Sequence, residues 1–238
     1  MDFTFGIITS GGNNDFLTKI VNDIKLLNIP NYEILIVGGD FQIEGATHIP
    51  FDESIKKSWI TRKKNIITEN AKYDNIVYSH DYITFDIDWY KGYLEYGDNF
   101  DICMNKIINK DGTRYRDWAF WPGDVAWEKK NNITSQLIIR DYLKSFLIPY
   151  SFKNLSKLMY ISGAYFVVKK RVMIETPLDE RFEWGDGEDV YWSLKVREKY
   201  NFSLNENSSV HLLKYKHKIF DIATEEEVND FLTKIKFI

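Results

Sequence analysis

The chain has 238 residues, 44% hydrophobic and 16% aromatic, with a formal net charge of −4 and a pI near 5.7. This suits one ordered core and excludes the global positive field that draws a protein to nucleic acid. The single cysteine, Cys103, excludes an intramolecular disulfide and a Cys-based zinc site; no signal-peptide pattern stands at Met1–Gly6 and no apolar run reaches the roughly 18–20 residues of a membrane span, so the expectation is a soluble, cytoplasmic protein.

Phe3 to Thr9 reads as a short buried strand that ends in the polar, glycine-containing Ser10-Gly11-Gly12-Asn13-Asn14. Phe16, Ile20, Val21, Ile24 and Leu27 then recur at helical spacing, with Asn14 or Asp15 as N-cap, until Pro30-Asn31 breaks the pattern. Tyr32 to Val37 is a second apolar strand closed by Gly38-Gly39-Asp40. Strand, glycine loop, helix and strand make a βαβ opening. The expected fold class is therefore α/β, with a mainly parallel central sheet flanked by helices and ligands bound at the carboxyl ends of its strands.

A helical stretch from about Ser58 to Ala71 carries Arg62, Lys63, Lys64 and Asn65, and Asn75 to Ser79 forms the next strand, running into His80-Asp81-Tyr82. An Asp at the end of a buried strand, beside a His and ahead of Asp86 and Asp88, offers hard oxygen ligands and an imidazole to Mn²⁺ or Mg²⁺. The same Asp81 could equally cap a following helix. Trp89 to Tyr96 reads as a helix and Phe100 to Ile108 as a strand.

From 109 to 157 the pattern is harder. Trp118, Phe120, Trp121 and Trp127 cluster with Pro122-Gly123, and an apolar helix-like run spans Ser135 to Phe146. This excursion from the sheet would form a lid, an acceptor-side wall or aromatic core. Leu158 to Lys169 returns to strand character with a break at Ser162-Gly163, and another strand near Asn207 to Leu213 contains His211. Thr224 and Glu227 form a capping box for an amphipathic tail helix with Val228, Phe231, Leu232 and Ile235 on one face. That helix would dock on the domain, since Lys234 and Lys236 are too few for a membrane patch; membrane-surface association and a homodimer stay open. The basic clusters Arg62-Lys63-Lys64, Lys169-Lys170-Arg171 and Lys214 to Lys218 read as solvated surface.

The densest chemistry lies in Phe182-Glu-Trp-Gly-Asp-Gly-Glu-Asp189, which runs straight into a helical pattern beginning near Asp189. Its glycines permit a tight bend with positive φ. A Trp beside paired carboxylates suits a sugar, the ring covering an apolar face while the carboxylates take hydroxyls. An acidic helix N-terminus beside a buried Trp would show the same letters. Asp186, between the glycines, has no assigned role.

Taken together, these pieces resemble a glycosyltransferase of the GT-A fold, over nearly the whole chain. The resemblance rests on the strand end Ile7-Ile8-Thr9-Ser10, the second strand reaching Asp40, Arg62-x-x-Asn65, a degenerate Asp-x-Asp at Ser79-His80-Asp81, Trp184-Gly-x-Gly-Glu-Asp189 and a downstream His. The last motif but one is the most specific and is similar to the Trp-Gly-Gly-Glu-Asp segment of β-1,4-galactosyltransferases and the Glu-Asp motif of family 2 inverting enzymes. The resemblance implies one domain over 1–238, with a nucleotide-sugar-binding half (1–108), an acceptor-side half (109–220) and a C-terminal helix (221–238).

It implies roles as well. Thr9, Ser10, Asp40, Arg62, His80 and Asp81 would bind the nucleotide sugar, a UDP-sugar by this resemblance. Asp81 and His211 would hold Mn²⁺ or Mg²⁺ on the diphosphate. His217 competes with His211, which is preferred because it ends a β-like run. Asp189 would be the general base, Glu188 would bind acceptor hydroxyls beside it, and Trp184 would stack on the acceptor saccharide. Ser79, where the family has Asp, weakens the metal expectation. A catalytically inactive nucleotide- or sugar-binding module is the rival from another class. A sugar nucleotidyltransferase is disfavoured, because the loop after the first strand lacks Lys and Arg.

Overall fold

The computed structural model describes residues 1–121, 124–130, 134–140, 145–217 and 220–235, with side chains described outside 122–144 and 234–238. The fully buried Phe3–Ile8 form β1, Asn14–Leu26 form α1, and Tyr32–Val37 form β2, parallel to β1 with Phe3 opposite Tyr32 and Ile8 opposite Val37. Thr47–Ile49 (β3) extends the sheet beyond β2, and Ile60–Asn70 form α2. Asn75–His80 (β4) pairs in parallel with the other side of β1. Ile83–Phe85 (β5), Trp89–Tyr96 (α3) and Ile102–Ile108 (β6) complete the first half.

The second half begins with Ala119–Phe120 (β7), Asp124–Lys130 (β8), Thr134–Arg140 (β9) and Phe146–Leu147 (β10). A 3₁₀ turn at Ser156–Leu158 leads into Met159–Tyr160 (β11), Tyr165–Lys169 (β12) and Lys170–Glu175 (α4). Glu188–Val196 (α5), Phe202–Leu212 (β13) and Glu225–Ile235 (α6) finish the described chain.

Eight strands make the central sheet in the order β3-β2-β1-β4-β12-β6-β13-β5. The first four are parallel. β12 runs against both β4 and β6, β13 is parallel to β6, and β5 closes the edge antiparallel to β13. Alternation along β1 separates the two faces. Phe3 and Phe5 stack with Trp89 of α3 at ring separations of 5.1 and 5.5 Å, while a Cβ on Gly6 would meet Ile67 of α2 at 2.3 Å. The same split recurs on β12, where Tyr165 receives the Trp89 indole N–H and Phe166 packs on Trp192 of α5. Helices therefore cover both faces. Between β1 and β4 the chain reverses its direction of progress across the sheet, the crevice where open α/β sheets take ligands.

A smaller sheet, β10-β7-β11, stands beside this core, and β8 pairs antiparallel with β9. The helix expected from Ser135 to Phe146 is instead β9 and β10. Ile138 and Ile139 are β-branched and pair across to Ala126 and Val125, and a short apolar run does not separate strand from helix by spacing. Trp118 and Phe120 are buried core, whereas Pro122-Gly123 and the Trp127 side chain lie outside the described residues. The capping box holds: Glu227 N–H donates to Thr224 Oγ1 at 3.2 Å and Thr224 N–H to Glu227 Oε2 at 2.8 Å. Phe231 of α6 packs on Phe146 at 4.7 Å and Phe120 at 6.0 Å, so the tail helix docks on the small sheet. The side chains of Lys234 and Lys236 are outside the described residues. No described helix is long and apolar enough to cross a membrane.

Candidate functional site

The carboxyl ends of β1 and β4 build the first half of the site. Asp81, one residue past β4, is buried, and its Oδ2 accepts hydrogen bonds from Thr9 Oγ1 at 2.7 Å and Asn13 Nδ2 at 2.9 Å. Asn13 is the N-cap position of α1, where Asn14 or Asp15 was expected. Its side chain leaves the helix uncapped to reach Asp81. Gly38, with φ of 98°, lets the end of β2 approach Thr9, since a Cβ there would lie 2.2 Å from the Thr9 carbonyl oxygen. Thr9, Ser10, Asn13, His80, Asp81 and Trp184 are among the residues lining a cavity of about 220 Å³ at these strand ends.

The expected Arg62 is not there. Its guanidinium turns outward to Glu69 at 2.6 Å and Glu180 at 3.1 Å. Lys63 takes the inward position, 1% exposed, with Nζ donating to Thr9 O at 2.7 Å and Ser10 Oγ at 3.2 Å and paired with Glu53. Lys64, also 1% exposed, donates to Gly163 O at 2.6 Å. Burial holds its pKa below the ordinary lysine value, opposed by the charges of Glu188 and Asp189. Two lysines expected in water are thus interior. The signal was present, because Ile60, Lys63, Lys64 and Ile67 share one helical face. Asp40 is exposed beyond β2 and lines neither cavity of the site.

The second half is the start of α5. Gly187, with φ of 77°, is its N-cap, and Gly185 adds φ of 93°. Asp186 closes the bend by accepting the Glu183 N–H at 2.8 Å, which gives this residue a structural role. The loop is pinned to the approach to α2: Thr61 Oγ1 donates to Phe182 O at 2.9 Å, Trp59 Nε1 to Glu180 O at 2.7 Å, and Trp184 N–H to Ser58 O at 3.2 Å. These bonds leave the Trp184 ring 67% exposed, so it is a presented ring and not the buried core Trp of the plainer reading.

Glu188 and Asp189 point the other way, 7% and 9% exposed. Asp189 Oδ2 accepts the Gly163 N–H at 3.0 Å and lies 3.5 Å from Arg116. Burial, reinforced by the adjacent Asp189 charge, lifts Glu188 from 4.5 to about 7. Gly163 is where these groups converge, with its carbonyl on Lys64 and its amide on Asp189. A Cβ there would sit 2.9 Å from Glu188 Oε1 and 3.0 Å from Asp189 Cβ.

Arg116 comes from the stretch 109–157, whose sequence carries no clear period. It adopts φ of 48°, which costs a non-glycine residue roughly 1 kcal/mol. A buried knot on either side holds it: Asp117 pairs with Arg114 at 2.7 Å and accepts the Tyr150 hydroxyl at 2.5 Å. Arg116 Nε donates to Tyr160 Oη at 2.7 Å. Burial opposes its charge, but Tyr160 and Asp189 outweigh that and raise its pKa. No local sequence pattern marks such a residue.

Arg116, Trp121, Glu188, Asp189, Lys216 and His217 are among the residues lining a cavity of about 560 Å³, which shares His80 and Trp184 with the smaller one. The two cavities therefore meet at His80 and Trp184. Burial, with the Lys64 and Lys216 charges, holds the His80 ring well below its ordinary pKa.

The metal expectation meets a poor donor set. His211 does not approach Asp81; it lies opposite Thr84 at the sheet edge, and its Nε2 is 3.2 Å from Asp86. Asp81 Oδ2 is taken by Thr9 and Asn13, and Ser79 stands where the other carboxylate was expected. Among the described residues no group of three or more His, Cys, Asp or Glu side chains is placed to hold a metal ion. The expected Asp81–His211 ligand pair is therefore not assembled, and of its two members Asp81 alone lines the cleft.

No protein-family model and no curated sequence matches the chain. Solved structures do. It superposes on S. aureus TarS 1–349 with a TM-score of 0.60 at 11% identity, over 89% of this chain and 60% of that one. TarS 1–349 in complex with UDP-GlcNAc gives 0.61 at 10% identity, over 92% and 60%. GalNAc-T7 with UDP, GalNAc and Mn²⁺ gives 0.56 at 13% identity, over 93% and 45%. The chain thus spans about 60% of the TarS 1–349 chain, and its central sheet flanked by helices has the GT-A-like fold of these structures.

Proposed function

We propose that this chain is an inverting glycosyltransferase that moves a sugar from a nucleotide donor, a UDP-sugar, to a hydroxyl of a saccharide or glycoconjugate. The observation that carries the reading is the junction of two cavities: a cleft at the switch point of a parallel sheet opens, past His80 and Trp184, onto a buried carboxylate pair. Structures of this fold in complex with UDP and with UDP-GlcNAc support it.

In this reading the nucleotide lies along Thr9, Ser10 and Asp81, and the sugar passes under Trp184 toward Glu188 and Asp189. The acceptor oxygen attacks the anomeric carbon from the side opposite the diphosphate. The anomeric C–O bond breaks with its electron pair going to the β-phosphate oxygen, and the acceptor proton goes to Asp189. The Gly163 N–H and Arg116 hold that buried carboxylate in place. Glu188, protonated up to about neutral pH, donates a hydrogen bond to an acceptor or donor hydroxyl. No step is routed through a metal ion, since the expected Asp81–His211 pair is not assembled.

Calorimetric titration of UDP into the full chain, in EDTA and again with Mn²⁺, tests the reading. Saturable binding with one site per chain is expected, and no binding in either condition would overturn it.

A further inference from the structure

Departure of a nucleoside diphosphate concentrates negative charge on its β-phosphate, and that charge needs a positive partner. The expected Asp81–His211 metal pair is not assembled, and three nearby protein cations are already engaged. Lys63 is bound to Thr9 O, Ser10 and Glu53, Lys64 is sealed beneath Gly163, and Arg116 holds Tyr160 and Asp189. Two cations remain on the segment after β13. Lys214 and Lys216 place their Nζ 4.4 and 4.5 Å from the Tyr82 ring centroid, and Tyr82 is buried one residue beyond Asp81. Neither is in an ion pair among the described residues.

The segment is also held in place. Leu213 N–H donates to Tyr82 O at 2.8 Å, fixing its start to the β4–β5 turn. The buried Asn109 then clamps the Lys216 backbone from both sides, accepting its N–H at 3.0 Å and donating to its carbonyl at 2.6 Å. Lys216 lines the larger cavity together with His80, the residue through which that cavity reaches the nucleotide cleft. Two ammonium groups stacked on one ring repel each other, an arrangement that an arriving dianion relieves.

We propose that Lys216, supported by Lys214, is the diphosphate-binding group of this site and takes the place of a divalent cation, an inference that rests on the nucleotide-sugar reading above. Lys216 neutralises the β-phosphate as the anomeric C–O bond breaks, and Asn109 acts as a positioning residue that holds it there.

The test is calorimetric titration of UDP and of uridine into the full chain and into K216M, which keeps the aliphatic stem over Tyr82, with thermal melts to confirm folding. The wild type binds UDP in EDTA with an affinity within about twofold of that in Mn²⁺. K216M loses about tenfold or more in UDP affinity while its uridine affinity is unchanged, and K216R restores most of the loss. UDP binding that disappears in EDTA and returns with Mn²⁺ overturns the lysine proposal and leaves the transferase reading standing. Unchanged UDP affinity in K216M also overturns it. Absence of UDP binding under every condition overturns both.

Discussion

Glu188 carries a stability cost that a single substitution can expose. Burial and Asp189 raise it from 4.5 to about 7, net of the opposing pull of Lys64. Below about pH 4.5 the folded and unfolded chains both carry this proton. Between 4.5 and 7 the folded protein retains a proton that the unfolded chain has released, so stability falls as pH rises, and above 7 the loss is complete. At 1.36 kcal/mol per pH unit the difference amounts to about 3 kcal/mol. E188Q removes the titration while keeping the shape. Above pH 7 the variant should be more stable than the wild type by up to about 3 kcal/mol, or roughly 6–12 °C in Tm for a chain of this size. Below pH 4.5 the two should converge. Urea denaturation of both proteins from pH 4 to 8 reads the difference directly and cancels the other carboxylates. An E188Q variant no more stable than the wild type at pH 8 would refute the placement of Glu188 as a buried, costly carboxylate.

Two further substitutions probe the geometry. G163A pushes a methyl group against Glu188 and Asp189, where its Cβ would lie within 3.0 Å of each; overpacking of this kind costs about 1–3 kcal/mol, and transfer should fall further than the melting temperature suggests. W184A removes an exposed ring, so stability should stay within about 0.5 kcal/mol of wild type. The same variant should weaken sugar-nucleotide or acceptor binding roughly fivefold, measured by titration or KM, as befits about 1 kcal/mol of ring contact.

What was legible in the sequence was whatever repeats with a period or breaks one. Phe3–Ile8, Phe16 to Leu27 and Tyr32–Val37 announce a βαβ unit because their apolar spacing switches from continuous run to helix and back. Gly187 and Glu188 announce a helix start because only a left-handed residue and a dipole-tolerant one suit that junction. Tertiary contacts are different. Arg62 and Lys63 are neighbours in the sequence, and only the rotation of α2 on β1 decides which faces Thr9. His211 and Lys216 both follow the same helix, and the pairing of β13 with β5 sends the histidine to Asp86 while Asn109 delivers the lysine to the cavity. Arg116 depends on a knot between residues 114, 117 and 150 that leaves no periodic trace. Strand β9 was misread because a short run around Leu137, Ile138 and Ile139 fits either element until its partner strand is known.

The central claim is that Asp189 takes the acceptor proton at the junction of the two cavities. Its most direct test is the rate of UDP release from a panel of UDP-sugars, with water or an added saccharide as acceptor, by the wild type and by D189N at matched UDP occupancy. The account predicts UDP affinity within about twofold of wild type and a rate lower by about 10²–10⁴-fold, the range for loss of a general base. A D189N protein that binds UDP and turns over at the wild-type rate would contradict it.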